Sequence, residues 1–371
     1  MSSTLPAAGE RSTDLPASPK LWLPRRVLAT PSALQWEHGR AIAERAAALG
    51  VEVRELPTDR LNLDFGSDER QAYIDAKQTL ALVVAPPSKR RLQPIAPSAD
   101  WRVDLAEGCP AHCSYCYLAG SLKGPPITRV YANLPEILGE LPAHLGLGAV
   151  TSRSKSRSAE GTTFEASCYT DPLALDHLTG SLSALISYFG AWDVATQLRF
   201  TSKFDAVEPL LSLAHRGRTR MRASINPARF ARFEGGTSPV ASRLAALARM
   251  SAAGYPIGLT IAPIIAADGW EQAYAELIDA ASRALSTTPD APPDLTIELI
   301  THRYSPGSKA VLQRWYPGSS LDMGTDGRAE KRTKFGSVKQ VYDATTMKSL
   351  RTFFEAEIAR ALPFARILYW T

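Results

Sequence analysis

Short apolar runs and amphipathic stretches alternate along nearly the whole chain. RVLAT (26–30), VEVREL (51–56) and TLALVV (79–84) have the length and β-branched content of strands. The stretches between them, about Leu34 to Leu49 and about Asp68 to Lys77, carry apolar residues at helical spacing. Residues 21–97 therefore predict a small N-terminal α/β unit, closing with a Pro- and Lys/Arg-rich connector from Pro86 to Pro97. WRVDLAEG (101–108) then opens a longer series of strand-like runs: FEASC (164–168), QLRFTS (197–202), RMRASI (220–225), IGLTIAPI (257–264) and LTIELI (295–300). A helix after Asp176 would put Leu178, Leu182, Leu185, Ile186 and Phe189 on one face and stop at Gly190. Another begins at Ser238-Pro239, an N-cap followed by proline at the first helical position, and ends before Gly254. Six βα units with their helices outside imply an α/β protein whose residues 98–371 form a partial (β/α)6-type TIM barrel, with an open doubly wound sheet as the alternative. The Gly/Ser/Arg-rich segment 146–162 reads as a mobile surface insertion.

Composition changes this picture only at its edges. Of the 371 residues 45% are hydrophobic and 21% charged, which excludes a disordered, collagenous or disulfide-scaffold protein. The most apolar stretch, Tyr255 to Ala267, is shorter than the ~20 residues of a membrane span. Residues 1–20, rich in Ser, Pro and Ala, lack the apolar core of a secretory signal and read as a disordered tail on a cytoplasmic protein. Charge is unevenly placed. The chain carries +5, and Thr301 to Gln340 alone holds eight Lys/Arg against three Asp/Glu, a surplus that points to an anionic partner met by one region. Within it RAEKRTKFGSVKQVY (328–342) reads as a basic β-hairpin turning near Gly336, suited to phosphate contacts, with a solvated loop as the bland reading.

The chemistry concentrates in four cysteines. GCPAHCSYCYL sets Cys109, Cys113 and Cys116 as C-x3-C-x2-C after the strand that opens the barrel, and Cys168 stands apart. Three thiolates on one short loop can hold three irons of a cubane 4Fe-4S cluster and leave the fourth iron open. A zinc site, or a closed cluster with Cys168 as fourth ligand, remains open on spacing alone. Arg218, Arg220 and Arg222 share one strand face, so they either pair with buried carboxylates such as Glu165 or Glu298 or meet phosphate at the rim.

The cysteine spacing, with Tyr115 just before the last cysteine, resembles that of the radical S-adenosylmethionine enzymes. Together with RVYANL, EASCYTDPLALDHLTGSL, LRFTSKFDAVEPLL, RMRASINPARF, GYPIGLTIAPI, TIELITHRYSP and the final ILYWT, the chain is similar to the spore photoproduct lyase family from about residue 20 onward. The resemblance implies a carbon-carbon lyase that returns a methylene-bridged thymine dimer in UV-damaged DNA to two thymines, using a 5′-deoxyadenosyl radical made from S-adenosyl-L-methionine at a 4Fe-4S cluster. It implies that Cys109, Cys113 and Cys116 are the cluster ligands and that Cys168 gives a hydrogen atom to the substrate radical. Tyr115 and Tyr117 match tyrosines of the hydrogen-atom relay between the thiyl radical and the cofactor; aromatic packing is their bland reading. Lys203, Ser224 and Asn226 match positions that contact the cofactor, and Thr170 occupies a similar polar position. Lys331, Arg332, Lys334, Phe335 and Lys339 fall on the DNA-binding hairpin, where Lys334-Phe335 stands in place of the more usual arginine and tyrosine. An electron donor of flavodoxin or ferredoxin type and a monomeric state complete the expectation. A radical enzyme of the same build with another substrate, or a non-catalytic iron-sulfur DNA-binding protein, are the other readings.

Overall fold

The apolar runs form strands where the alternation places them, but the chain is shared between two sheets in a way the alternation does not reveal. The structure, a computed structural model, describes residues 19, 21–120, 124–151, 153–154, 157–286, 293–332, 336 and 338–371; apart from Pro19, the expected tail lies outside them. Strands β1 (Arg26–Ala29), β2 (Glu52–Glu55) and β3 (Thr79–Val83) precede β4 (Gln93–Ile95), β5 (Ala99–Val103), β6 (Ala106–Glu107), β7 (His112–Cys113) and β8 (Thr128–Tyr131). The small sheet runs β2-β1-β3-β8-β6, with only β6 antiparallel to its neighbour. Two of its strands thus come from beyond residue 97, while β4, inside the expected connector, joins the other sheet. The reason lies in β3, where Thr79 to Leu82 are all buried: a buried strand needs a partner on each edge, and β8 supplies the second.

The large sheet is completed by β9 (Thr162–Ala166), β10 (Thr196–Ser202), β11 (Thr219–Ile225), β13 (Ile257–Ile264), β14 (Leu295–Thr301) and β17 (Arg366–Trp370); the two-residue β12 (Glu234–Gly235) and the hairpin of β15 (Arg328–Arg332) and β16 (Val338–Tyr342) stand outside it. Its order is β17-β14-β13-β11-β10-β9-β5-β4, parallel throughout except for β4. The edge strands β17 and β4 do not pair with each other, so the sheet is a partly open barrel flanked by helices. The six expected parallel strands are present, and the run ILYWT adds a seventh.

Three local expectations need correction. The helix expected after Asp176 is two, Leu173–Thr179 and Ser181–Ala191, broken at Gly180 with φ +63°. The Asp176 carboxylate accepts from the Leu182 and Ser183 amides and so caps the second helix, while the five apolar residues are still buried. The helix Val240–Ala252 is flanked by Pro239, and Ser238 donates to Asp205 instead of capping it. The described part of segment 146–162 is anchored: Asp100 accepts from Val150 N and from Thr151 N and Oγ1, and the buried Arg157 donates to the carbonyls of Pro97 and Ser98. A buried carboxylate and a buried guanidinium each demand such partners, and here they hold the segment down.

The arginines of β11 settle their own question. Arg222 pairs with Glu165 and Glu298, and Arg220 pairs with Asp294, all at the barrel interior or its lower rim. Arg199 pairs with Glu160, which also takes Arg157 at 3.0 Å. Arg218 precedes the strand and donates to the Val194 carbonyl instead. The barrel floor is therefore an ionic layer in which burial is tolerated because each charge meets an opposite one.

Candidate active site

Above that floor lies a cavity of about 430 Å3 at the carboxyl ends of β9, β10, β11, β13 and β14, where barrel enzymes place their chemistry. Cys109, Cys113, Cys116 and Cys168 all line it. The cysteine loop does not follow the first barrel strand directly: the chain leaves β5, crosses to the small sheet as β6, and turns at Gly108, whose φ is +82° and whose added Cβ would meet the Ile127 carbonyl. Lys77 Nζ donates to the carbonyls of Cys109 and Ala111, Cys116 N donates to Cys113 O at 3.1 Å, and β7 pairs with β12 through Cys113 and Glu234.

The four thiols form no disulfide. Burial, opposed by Lys77, pushes Cys109 up to about 11, and burial opposed by Lys203 pushes Cys113 higher still. Thiolates here need positive charge beside them, which iron supplies, one thiolate to each iron. Three sulfurs on one loop against one cavity therefore suit an iron-sulfur cluster. Among the described residues no three His, Cys, Asp or Glu side chains, these cysteines included, are already gathered as a metal site.

Cys168 reaches the cavity through strain. Ser167 has φ +54°, a left-handed conformation that costs a non-glycine residue about 1–2 kcal/mol. It is held there by Ser167 N donating to Val103 O at 2.7 Å and Leu105 N donating to Ser167 Oγ at 3.0 Å. Burial, with the Glu165 and Asp104 carboxylates nearby, pushes the Cys168 thiol far up, so the proton stays on sulfur and the S–H bond is intact. Thr170, which also lines the cavity, has a buried Oγ1 with no hydrogen-bond partner.

On the opposite wall Lys203 Nζ donates to Glu234 Oε1 at 2.8 Å and lies 5.4 Å from the centre of the Tyr115 ring. Tyr115 donates its hydroxyl hydrogen to the same carboxylate, and Arg243 lies 2.7 Å from Glu234 Oε2. Burial alone would raise the Glu234 carboxyl, but Lys203 and Arg243 win and hold it at about 2. Asp171, buried beside them, accepts from Lys203 N at 2.7 Å and from Ser202 Oγ at 2.8 Å.

The profile of the family described as spore photoproduct lyase matches residues 22–371. The chain belongs to that family. It is 35% identical to the spore photoproduct lyase of Bacillus subtilis (strain 168) over 94% of its own length and 99% of the relative's. It is 36% identical to that of Geobacillus sp. (strain Y412MC61) over 95% and 100%. A solved spore photoproduct lyase double mutant with bound AdoMet and dinucleoside spore photoproduct superposes with a TM-score of 0.85 at 34% identity, covering 95% of this chain and all of that one. A second solved spore photoproduct lyase, complexed with dinucleoside spore photoproduct, gives the same figures. With the family comes an enzyme, a lyase of the radical S-adenosylmethionine type.

Of the positions the family expectation assigns to the cofactor, Ser224 lines the cavity but Asn226 does not. The Asn226 amide is engaged at both ends, Nδ2 donating to Pro263 O at 3.0 Å and Oδ1 accepting from Tyr274 at 2.9 Å, so it braces the wall from behind. Tyr117 opens the 3-10 turn Tyr117–Gly120, and its side chain lies outside the described residues. On the hairpin Lys331 and Arg332 are exposed, and Lys331 sits directly opposite Lys339. Lys334 and Phe335 lie outside the described residues. Glu234 and Asp171 escape sequence reasoning. Glu234 sits on a two-residue strand with no periodicity, and its one signal is a lone carboxylate in a basic and aromatic run, RFARFEGG.

Proposed function

We propose that this enzyme binds a 4Fe-4S cluster and S-adenosylmethionine and restores two thymines from a spore photoproduct-type dimer in UV-damaged DNA. The observation that carries the reading is the meeting of a protonated Cys168, the three-cysteine loop and Lys203 in one cavity. Cys109, Cys113 and Cys116 would hold three irons. When bound, the cluster and its cofactor supply the 5′-deoxyadenosyl radical that takes a hydrogen atom from the substrate. Lys203, Ser224 and Thr170 offer a cation and two hydroxyls of the kind a carboxylate and a ribose need. Cys168, with its hydrogen retained by burial, gives a hydrogen atom to the opened substrate. Tyr115 and Tyr117 would pass a hydrogen atom to the Cys168 thiyl sulfur, restoring its S–H and moving the radical toward the cofactor side, and Glu234 orients the Tyr115 hydroxyl. The hairpin grips phosphates on either side of a lesion swung out of the stack, a movement eased by the weakened stacking of joined thymines. Free thiols suit a reducing, cytoplasmic setting, with electrons from a flavodoxin- or ferredoxin-type donor to a monomeric enzyme. Among the described residues no helix is long and apolar enough to cross a membrane. Anaerobic incubation of the reconstituted protein with S-adenosylmethionine, dithionite and UV-damaged DNA should yield restored thymine; 5′-deoxyadenosine without any loss of photoproduct would overturn the substrate assignment.

A further inference from the structure

The run THRYSP follows β14, and its histidine is placed with unusual constraint. His302 is 2% exposed, lines the cavity, and donates its amide to Ile264 O at 2.9 Å. Its ring Nδ1 lies 3.0 Å from Arg328 Nη2, and its carbonyl accepts from Arg328 Nη1 at 3.1 Å. Because a guanidinium only donates, Nδ1 must be the acceptor, and the ring proton is on Nε2. Burial, then Arg328 and Arg303, with Asp322 opposing, lower the imidazole to about 3, so the ring is neutral. Among the described residues no hydrogen bond engages Nε2. A buried ring that lines the cavity, with Nδ1 taken by Arg328, therefore leaves one N–H for what the cavity holds.

We propose that His302 contacts the substrate, its Nε2–H donating to a carbonyl oxygen of the pyrimidine lesion, while Arg328 fixes the tautomer from behind. This rests on the reading of the substrate given above. A neutral donor suits a carbonyl better than a phosphate, which recruits cations. A donor that cannot turn acceptor also distinguishes a carbonyl from an amino group at the same place, because two donors would face each other and leave both unpaired. Arg328 belongs at once to the site and to the hairpin. It opens β15 and lies 5.1 Å and 4.5 Å from the ring centres of Tyr304 and Tyr342, and Tyr304 and Gln340 exchange backbone hydrogen bonds. The hairpin root and the donor in the cavity are thus held by one side chain.

The test measures binding of the dinucleoside spore photoproduct, too small to engage the hairpin fully, to the anaerobic holoenzyme by calorimetry. His302→Leu should bind roughly tenfold more weakly, the cost of leaving one acceptor unpaired, and His302→Gln, whose amide can place an N–H near the same point, should recover most of it. Equal affinity of parent and His302→Leu, or equal loss in both variants, would overturn the contact. In 15N-histidine spectra the Nε2–H of His302 should shift on adding the dinucleoside with its tautomer unchanged; a proton on Nδ1 would also overturn it. A parent that does not take the dinucleoside at all would instead defeat the substrate reading itself, and this contact with it.

Discussion

The floor and the mouth of the barrel are both crowded with ionisable side chains, yet they are built on opposite rules. On the floor, guanidiniums and carboxylates pair off, Arg222 with Glu165 and Glu298, and Arg199 and Arg157 with Glu160, although Arg222 Nε and Glu160 Oε1 keep no hydrogen-bond partner. At the mouth, four thiols have no disulfide partner, Thr170 Oγ1 has no hydrogen bond and Ser167 is strained. Groups that satisfy one another make structure, and groups held in place without satisfaction are available to a ligand. Glu234 and Arg328 sit at the boundary, paired themselves while positioning Tyr115, Lys203 and His302.

The sharpest contrast comes from single substitutions on either side. Cys113→Ala should abolish iron incorporation, measured by iron content and absorbance after reconstitution, while the denaturation midpoint of the iron-free protein stays near the parent's. Cys168→Ala should keep the iron and still cleave S-adenosylmethionine, but release trapped or adducted thymine in place of clean repair; a colourless Cys168→Ala protein would make it a cluster ligand. On the floor, Arg222→Met leaves two carboxylates buried together and should cost about 3–5 kcal/mol in urea denaturation, and adding Glu165→Gln and Glu298→Gln should return much of it. A loss of repair with unchanged stability in Arg222→Met would break the division between floor and mouth.

A smaller effect is expected from acid. The Glu234 carboxyl, held at about 2 when folded against an ordinary 4.5, binds fewer protons in the native state than in the unfolded one. Its stabilisation is therefore complete above about pH 4.5 and drains away as pH falls toward 2, an order of about 3 kcal/mol over the whole range. The stability difference between parent and Glu234→Gln, followed by denaturation across that window, should shrink as the pH drops; a flat difference would detach Lys203 and Arg243 from this carboxylate. The smallest change belongs to the hairpin. Lys331→Ala, Arg332→Ala and Lys339→Ala together should lower the log-log salt slope of duplex DNA binding by about 0.9 for each phosphate left without its cation, with cofactor cleavage unaltered. Equal slopes in fluorescence anisotropy would move the DNA face elsewhere.

Much of this architecture is legible in the sequence because it is periodic. The six parallel barrel strands, the small-sheet strands β1 to β3 and the burial of Leu178, Leu182, Leu185, Ile186 and Phe189 all follow from alternation and helical spacing. What alternation cannot show is pairing between short pieces. β6, β7 and β12 have two residues each, too few for any period, yet they carry Gly108, Cys113 and Glu234 into place. The clustering of three cysteines is readable from spacing, and the structure sets Lys203 and Ser224, singled out by the resemblance, on the wall of the same cavity. The bracing role of Asn226 is not readable, because a strand-end position says nothing of Pro263 and Tyr274 behind it. Arg222 is readable as structural, since alternation places it on one face with carboxylates in neighbouring strands.

The interleaving of the two sheets has a consequence for how the chain could ever be divided. The core under the small sheet gathers Val27 and Leu80, then Val130, then Leu175 and Leu178 from the helix that follows Cys168. A cut at residue 97 would tear that core open. The first exposed loop that leaves it whole comes after Ser181–Ala191, around Val194. Everything before that loop carries sulfur, all four thiols; everything after it carries the lysine and serine that face them and the basic hairpin. Split there, the protein would part into one fragment able to present the cysteines and another able to present Lys203, Ser224 and the hairpin, and only their reassembly would rebuild a cavity between them.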